Sequence, residues 1–279
     1  MAVPVGGGKE ITVVSGRSCD FIQGLASDGT NVYWTSPSSG LVMKAPIAGG
    51  VATTLVSREA PFAIAVAGNS VYWSNMGHPY PTQTQPEPVV STIEKTAASG
   101  QETETLATVP DAGESVWAVA ADGTNVYWLA AVKAWWQAGP TTLMQAPAGG
   151  GAPLVLASGD MFGASLAVDT TSVYWTEPLP DAGPTAAALL RVPIGGGEPA
   201  TVASNLGNYP FAIVGKTAYY AAGPSGNVIS SVSIDGGSPV VLAVADGEVS
   251  DWLLGNGKSL FWLELKGGSD FGIYRLDLK

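Results

Sequence analysis

The sequence is short of the residues on which many active sites are built. Cys19 is its only cysteine, which excludes internal disulfides, Cys-rich zinc sites and Cys-x-x-Cys redox chemistry. His78 is its only histidine, so a Ser-His-Asp arrangement would have to use it, and no Gly-x-Ser-x-Gly elbow is present. Basic residues are scarce: 12 Lys and Arg stand against 23 Asp and Glu, a net charge of -11. Such a chain offers no basic surface to a phosphate backbone, and nucleic acid is not an expected partner. No run approaches the ~18 consecutive apolar residues of a spanning helix, so no transmembrane segment is expected. The opening MAVPVGGGKE lacks the basic-then-apolar layout of a signal peptide. Few Lys, much Gly, Ser and Thr and the acidic balance nevertheless suit an exported bacterial protein. The expectation is a secreted or periplasmic chain whose signal has been removed, with the cytoplasm as the alternative.

Turn and strand chemistry is abundant instead. The chain holds 36 Gly and 20 Pro, with 46% hydrophobic and 13% charged residues, a composition of folded strands joined by tight turns. One word recurs: NVYWTS, SVYWSN, NVYWLA and SVYWTE, with AYYAA and LFWLE as variants. Its anchors are Trp34, Trp73, Trp128, Trp175, Tyr220 and Trp262, spaced by 39, 55, 47, 45 and 42 residues. A period of ~40–50 residues points to a propeller or another repeat array.

Before each word stands a short apolar strand and a turn carrying Asp-Gly, Gly-Asn or Gly-Lys; after it come two further strands joined by Gly pairs or triplets. These glycines supply the positive φ of tight hairpins. Four strands per repeat and six repeats predict an all-β, six-bladed β-propeller filling residues 1–279 as one domain. The last repeat is one strand short, and KEITVV near the start is the expected closing strand, pairing beside GIYRLDL of the C-terminal blade.

The VYWTS, VYWSN and VYWTE words, with the apolar-Asp turns before them, resemble the YWTD-type repeats of low-density-lipoprotein-receptor propellers and bacterial TolB-type propellers. The resemblance covers nearly the whole chain as a loose motif in each repeat. The family's Asp after Tyr-Trp-Thr is Ser36, Asn75 or Glu177 here, so the likeness implies the fold and not that family's polar network. The families it points to bind proteins and peptides, while other six-bladed propellers hydrolyse lactones, condense amines or bind sugars.

With the five anchor tryptophans assigned to packing between blades, Trp117, Trp135, Trp136 and Trp252 remain. Long connections between second and third strands are expected in blade 2 (NMGHPYPTQTQPEPVVS), blade 3 (LAAVKAWWQAGP) and blade 4 (TEPLPDAGPTAAA), all opening on one face. On that face the blade-to-blade connections bring Phe21, Phe62, Trp117, Phe162, Tyr209, Phe211 and Trp252 together with Asp20, Glu59, Glu114, Asp160 and Asp251. The aromatic repeated at one offset (Phe62, Trp117, Phe211, Trp252) reads either as a layer of core packing or as the lining of an axial pocket. Trp135 and Trp136 occur in one blade only; adjacent residues of an extended loop point opposite ways, so one of them is expected to be exposed beside Lys133.

The leading expectation is a monomeric, non-catalytic binding propeller for a peptide, protein segment or glycan. Its contacts are Tyr80, Trp135, Trp136 and Glu177, with Trp117 and Trp252 lining a deeper pocket. No catalytic residue, metal site or cofactor is assigned. The alternative is a hydrolase or lyase using axial carboxylates, with or without calcium held by Asp20, Glu114, Asp160, Asn208 and Asp251. A structural interaction module is the third reading. Cys19 reads as a small buried thiol, and Asp28 and Asp122 as turn residues.

Overall fold

A computed structural model describes residues 22–58, 60–76, 90–100, 102–109, 114–131, 140–160, 165–179, 186–207, 210–223, 226–255, 259–265 and 271–278. Among them are strands and turns but no α-helix, hence no helix long and apolar enough to cross a membrane. The chain divides into two compact units, residues 1–159 and 160–279.

In the first unit, β1 (Gly24–Ser27), β2 (Asn31–Ser36), β3 (Leu41–Pro46) and β4 (Thr53–Ser57) form one sheet. A second is made by β5 (Pro61–Ala67), β6 (Ser70–Asn75), β7 (Thr92–Ala97) and β8 (Glu104–Thr108). The third holds β9 (Ser115–Ala121), β10 (Asn125–Ala131), β11 (Pro140–Pro147) and β12 (Leu154–Asp160), the last ending at the unit boundary. The second unit repeats the meander with β13 (Leu166–Val168), β14 (Ser172–Pro178), β15 (Ala186–Pro193) and β16 (Ala200–Gly207). Its next sheet holds β17 (Phe211–Val214), β18 (Thr217–Ala222), β19 (Val228–Ser233) and β20 (Val240–Val244). Its last sheet has three described strands, β21 (Glu248–Gly255), β22 (Ser259–Leu265) and β23 (Phe271–Asp277). The closing strand expected from KEITVV, and Cys19 with it, lie outside the described residues.

Successive residues of a strand face opposite sides of its sheet, so a strand that buries both Tyr and Trp must be covered on both faces. The second strands do this: Tyr33, Trp34, Tyr72, Trp73, Tyr127, Trp128, Tyr174 and Trp175 are all buried. Within each unit, a sheet's Tyr shares a core layer with the next sheet's aromatic anchor. Tyr33 joins Trp73, Val42, Val56 and Ile64 between the first two sheets, and Tyr72 joins Trp128, Ile93 and Val119 between the second and third. In the second unit Tyr174 lies with Tyr220, and Tyr219 packs against the cluster of Trp262. The recurring word is therefore a two-faced adhesive, one aromatic for each neighbouring sheet.

The turn ends of the sheets carry a repeated polar scaffold. Turns Asp28 to Thr30, Asp122 to Thr124 and Asp169 to Thr171 each have three residues, and the Asp accepts backbone N–H bonds from the residues two and three positions on, at 2.6–2.8 Å. Its other carboxylate oxygen accepts the hydroxyl of the buried Tyr five residues on: Tyr33 at 2.7 Å, Tyr127 at 2.8 Å and Tyr174 at 2.8 Å. The second and fifth sheets use two-residue turns instead, with Gly68 (φ 57°) and Gly215 (φ 58°) in the left-handed region. Opposite the Tyr, the third strand carries a cation that reaches the following sheet. Lys44 donates to the Ala98 carbonyl and Lys95 to the Ala148 carbonyl, both at 2.6 Å, and Arg191 meets Asp235 at 3.4 Å.

Candidate functional site

The strand register fixes which ends carry the long connections. Pro61 lies across from Asn75, Thr92 from Thr108 and Ser115 from Ala131. The β6–β7 and β10–β11 loops and the β8–β9 connection thus leave from the same end of the second and third sheets, opposite the Asp and Gly turns. This is the geometry expected for the loop-bearing face, and it holds here within the first unit.

At that end the innermost strands are bulged. The β5/β6 register shifts between Pro61 and Ile64, and the β9/β10 register shifts so that Trp117 falls between the paired residues Val116 and Ala118. A bulge leaves one residue without a partner and re-aims its side chain. Phe62 and Trp117, the bulged aromatics of neighbouring sheets, meet edge to face with centroids 5.2 Å apart and planes at 86°. Ala60 and Met76 complete a buried cluster with them. Trp117 is only 6% exposed. Backbone groups around the bulges find nearby partners: the Ala63 N–H donates to Ser74 Oγ at 3.0 Å, and the Phe62 carbonyl accepts the hydroxyl of Thr35 from the first sheet. Ala60 sits at φ 43°, the one non-glycine left-handed residue among those described, and its carbonyl accepts the Met76 N–H at 3.0 Å. That bond pins the first residue of the 76–91 connection. At its far end Ser91, also buried, donates its hydroxyl to the Glu114 carbonyl at 2.9 Å, while its own carbonyl accepts the Val109 N–H at 2.9 Å. Both feet of the blade 2 insertion are thus fixed to the sheet.

Trp117 carries a buried indole N–H without an acceptor, but so do Trp73 and Trp175 in the strand cores. The unpaired donor therefore does not set Trp117 apart. Its place at the end from which two insertions leave does.

The expected contact residues fall as follows. Trp117 lies at the base of the loop end, packed on Phe62. Tyr80, Trp135 and Trp136, along with His78 and Lys133, belong to stretches outside the described residues. Trp252 is in β21, within the register shift between Val249 and Leu253, one residue nearer its anchor than Phe62 and Trp117 are to theirs; its side chain is outside what is described. Phe211, expected at the same offset, stands two residues nearer its anchor, so it pairs directly with Tyr220 without a bulge and is buried in the core. Glu177 corrects the expected extent of the blade 4 insertion. Thr176, Glu177 and Pro178 are the last residues of β14 and Ala186 to Ala188 begin β15, with Glu177 across from Ala188. The flanks of TEPLPDAGPTAAA, 176–178 and 186–188, are thus strand rather than loop, because Pro178 and the Ala run tolerate an extended hairpin, while residues 180–185 lie outside the described residues.

Of the axial oxygens, Glu114 is partly buried just before β9, Asp160 and Asp251 are strand residues whose side chains are not described, and Asp20, Glu59 and Asn208 lie outside the described residues. Among the described residues, no three His, Cys, Asp or Glu side chains come together as metal ligands. Phe21, Phe162 and Tyr209 are also outside. Sequence reasoning missed Ala60, Met76 and Ser91. The available signal was their position at the two edges of an insertion, next to a Pro or a β-strand start.

No protein-family model matches the chain, and no curated protein matches it by sequence. Solved structures do. A nidogen/laminin complex aligns with TM-score 0.57 and 19% identity over 78% of this chain and 77% of that one. TolB from Acinetobacter baumannii aligns with TM-score 0.59 and 16% identity over 88% of this chain, which spans 59% of that one. A streptogramin B lyase aligns with TM-score 0.61 and 11% identity over 96% of this chain and 86% of that one. The fold is a β-propeller. At these identities the likeness carries the fold alone, and the similar propellers include both binding proteins and enzymes.

Proposed function

We propose that the chain is a non-catalytic binding propeller, closed as six blades in one domain, that holds a peptide, protein segment or glycan at the loop-bearing end of its sheets. The observation supporting this reading is the pair of bulged inner strands that bring Phe62 and Trp117 together at the end from which both long insertions leave. A rigid aromatic pair at the sheet end that roots the loops containing Tyr80, Trp135 and Trp136 supports a ligand platform, in which Tyr and Trp offer large contact area at low entropic cost. Trp252 and Glu177 are its assigned contacts in the second unit. The acidic, Lys-poor surface supports export to the periplasm or outside the cell, as a monomer.

The test is a tryptophan fluorescence titration against a mixed panel of peptides and glycans, with and without calcium. A saturable shift is expected for at least one class. The double variant Trp135→Ala/Trp136→Ala should lose it while its melting temperature moves by less than about 2 °C, as for surface substitutions. Unchanged affinity in a folded double variant would overturn the assignment. A melting temperature that falls on chelation would move the reading to the calcium-assisted hydrolase or lyase, since a bound ion stabilises the folded state by mass action.

A further inference from the structure

The outer strands of four sheets can be superposed by register. Thr53, Glu104, Ala200 and Val240 each pair with the third-strand residue that also faces the second strand's aromatic word: Lys44, Lys95, Arg191 and Ser231. The next positions are Thr54, Thr105, Thr201 and Val241. The strand's far end, paired with the first residue of the third strand, is Ser57, Thr108 or Val244. These are solvent positions throughout. In the first and second sheets they hold Thr, Glu and Ser, which guard an open edge against pairing with other chains. On β20 all three are valine, exposed by 58%, 61% and 67%.

Among the described residues β20 is the last strand of its sheet, with no strand paired on its outer side, where backbone N–H and C=O groups stand beside β-branched side chains. Natural edges of this kind are blunted by charge, proline or a covering element. This one has none of the first two within Val240–Val244. We infer that β20 is a docking edge for an extended peptide segment of a partner protein, added to the sheet as a fifth strand. The partner segment alternates β-branched residues and has basic residues at its ends.

Two arguments favour this occupant over a second copy of the chain. Five residues give an edge about 17 Å long and one strand wide, short of the roughly 1,000 Å² that a stable protein dimer needs. Two copies would also bring together chains of net charge -11. Asp246 follows the strand, while Asp235 before it already meets Arg191 at 3.4 Å, so the local acidic field at this edge is modest. Basic residues on the incoming strand would face this field, which the whole chain reinforces. The inference rests on the outer strand of one sheet of the second unit and uses none of the contact residues named in the proposed function.

The probe is the peptide acetyl-Lys-Val-Thr-Val-Thr-Val-Lys-amide, titrated into the full chain by calorimetry, with the same peptide bearing Glu in place of Lys as control. Saturable binding with Kd below about 1 mM is expected. The triple variant Val240→Thr/Val241→Thr/Val244→Ser installs residues that the sibling strands already carry, so it should fold with an unchanged circular dichroism spectrum. It should bind about tenfold more weakly, because three cross-strand pairs are lost. The Glu peptide should bind more weakly than the Lys peptide, and the difference should shrink at high salt. Equal affinity of wild type and triple variant would overturn the inference, as would no saturation by the Lys peptide. A concentration-dependent dimer that the triple variant abolishes would overturn it in favour of a second copy.

Discussion

The two ends of the first unit's sheets are built on different principles. At the turn end the same polar parts recur: an Asp that caps its own turn and accepts a buried Tyr hydroxyl, and a third-strand Lys that reaches the following sheet. At the loop end no two sheets are alike. The first keeps a short turn between β2 and β3, the second and third carry long insertions, and the bulges of β5 and β9 put Phe62 and Trp117 in contact. Repetition marks the end that holds the sheets together, and variation marks the end free to acquire a ligand. A fixed scaffold with variable loops is the division of labour expected of a binding fold.

Trp117 belongs to both ends' logic, and its removal gives the sharpest test. As a buried aromatic packed on Phe62 and Met76, Trp117→Ala should cost about 3–5 kcal/mol of stability in chemical denaturation, the range for truncating a core tryptophan. A loss below about 1 kcal/mol would make it a surface platform and erase the distinction between base and loops. At the turn end the effect is smaller. Asp122→Ala strands the hydroxyl of the fully buried Tyr127 and uncaps the N–H groups of Thr124 and Asn125, for a loss of about 1–3 kcal/mol. Adding Tyr127→Phe should recover part of it, because the stranded polar group is then gone. If the double variant is as unstable as the sum of the singles, the carboxylate acts only as a turn cap.

These same residues show what was legible in the sequence. The VYW words and the Gly hairpins gave strand order, the position of every anchor and the end that bears the loops, because burial period and turn chemistry are local signals. The Asp of each DGTN turn was readable as a turn former. Its second bond was not, since the Tyr hydroxyl comes to it only once the hairpin register is set. The lysine clamps were equally hidden: Lys44 and Ala98 are 54 residues apart and meet through packing between sheets. Phe62 and Trp117 were legible as a recurring offset, but only the bulges explain why they meet, and a bulge is a register event that no residue type announces. The flanks of the blade 4 insertion are strand for the converse reason. Pro and Gly suggest turns, while the extended β14/β15 hairpin is decided by pairing.

The smallest expected effect is the pH dependence of the turn-end scaffold. Burial alone would raise the Asp28 carboxyl, yet the Asn31 N–H, the Tyr33 hydroxyl and the Thr30 N–H together bring it down from 3.8 to about 2. Asp169 is lowered by the same balance, with Tyr174 as its hydroxyl donor. A depressed acid stabilises the fold above its unfolded value and loses that contribution as pH falls through the folded one, so the window lies between about 4 and 2. The tyrosines mirror this at the other extreme. Burial, then the bonded carboxylate, pushes Tyr33 and Tyr174 from 10.0 to about 12. A raised phenol stabilises the fold below pH 10 and loses that contribution as pH rises through 12. Asp28 is largely exposed, so solvent screening holds its share to less than about 1 kcal/mol. Urea midpoints measured from pH 2 to 7 should fall on the acid side in the wild type and fall less in Asp28→Asn. An identical acid limb in both would mean that the hydroxyl bond adds nothing beyond the turn, and that the turn end holds by its lysines and aromatics alone.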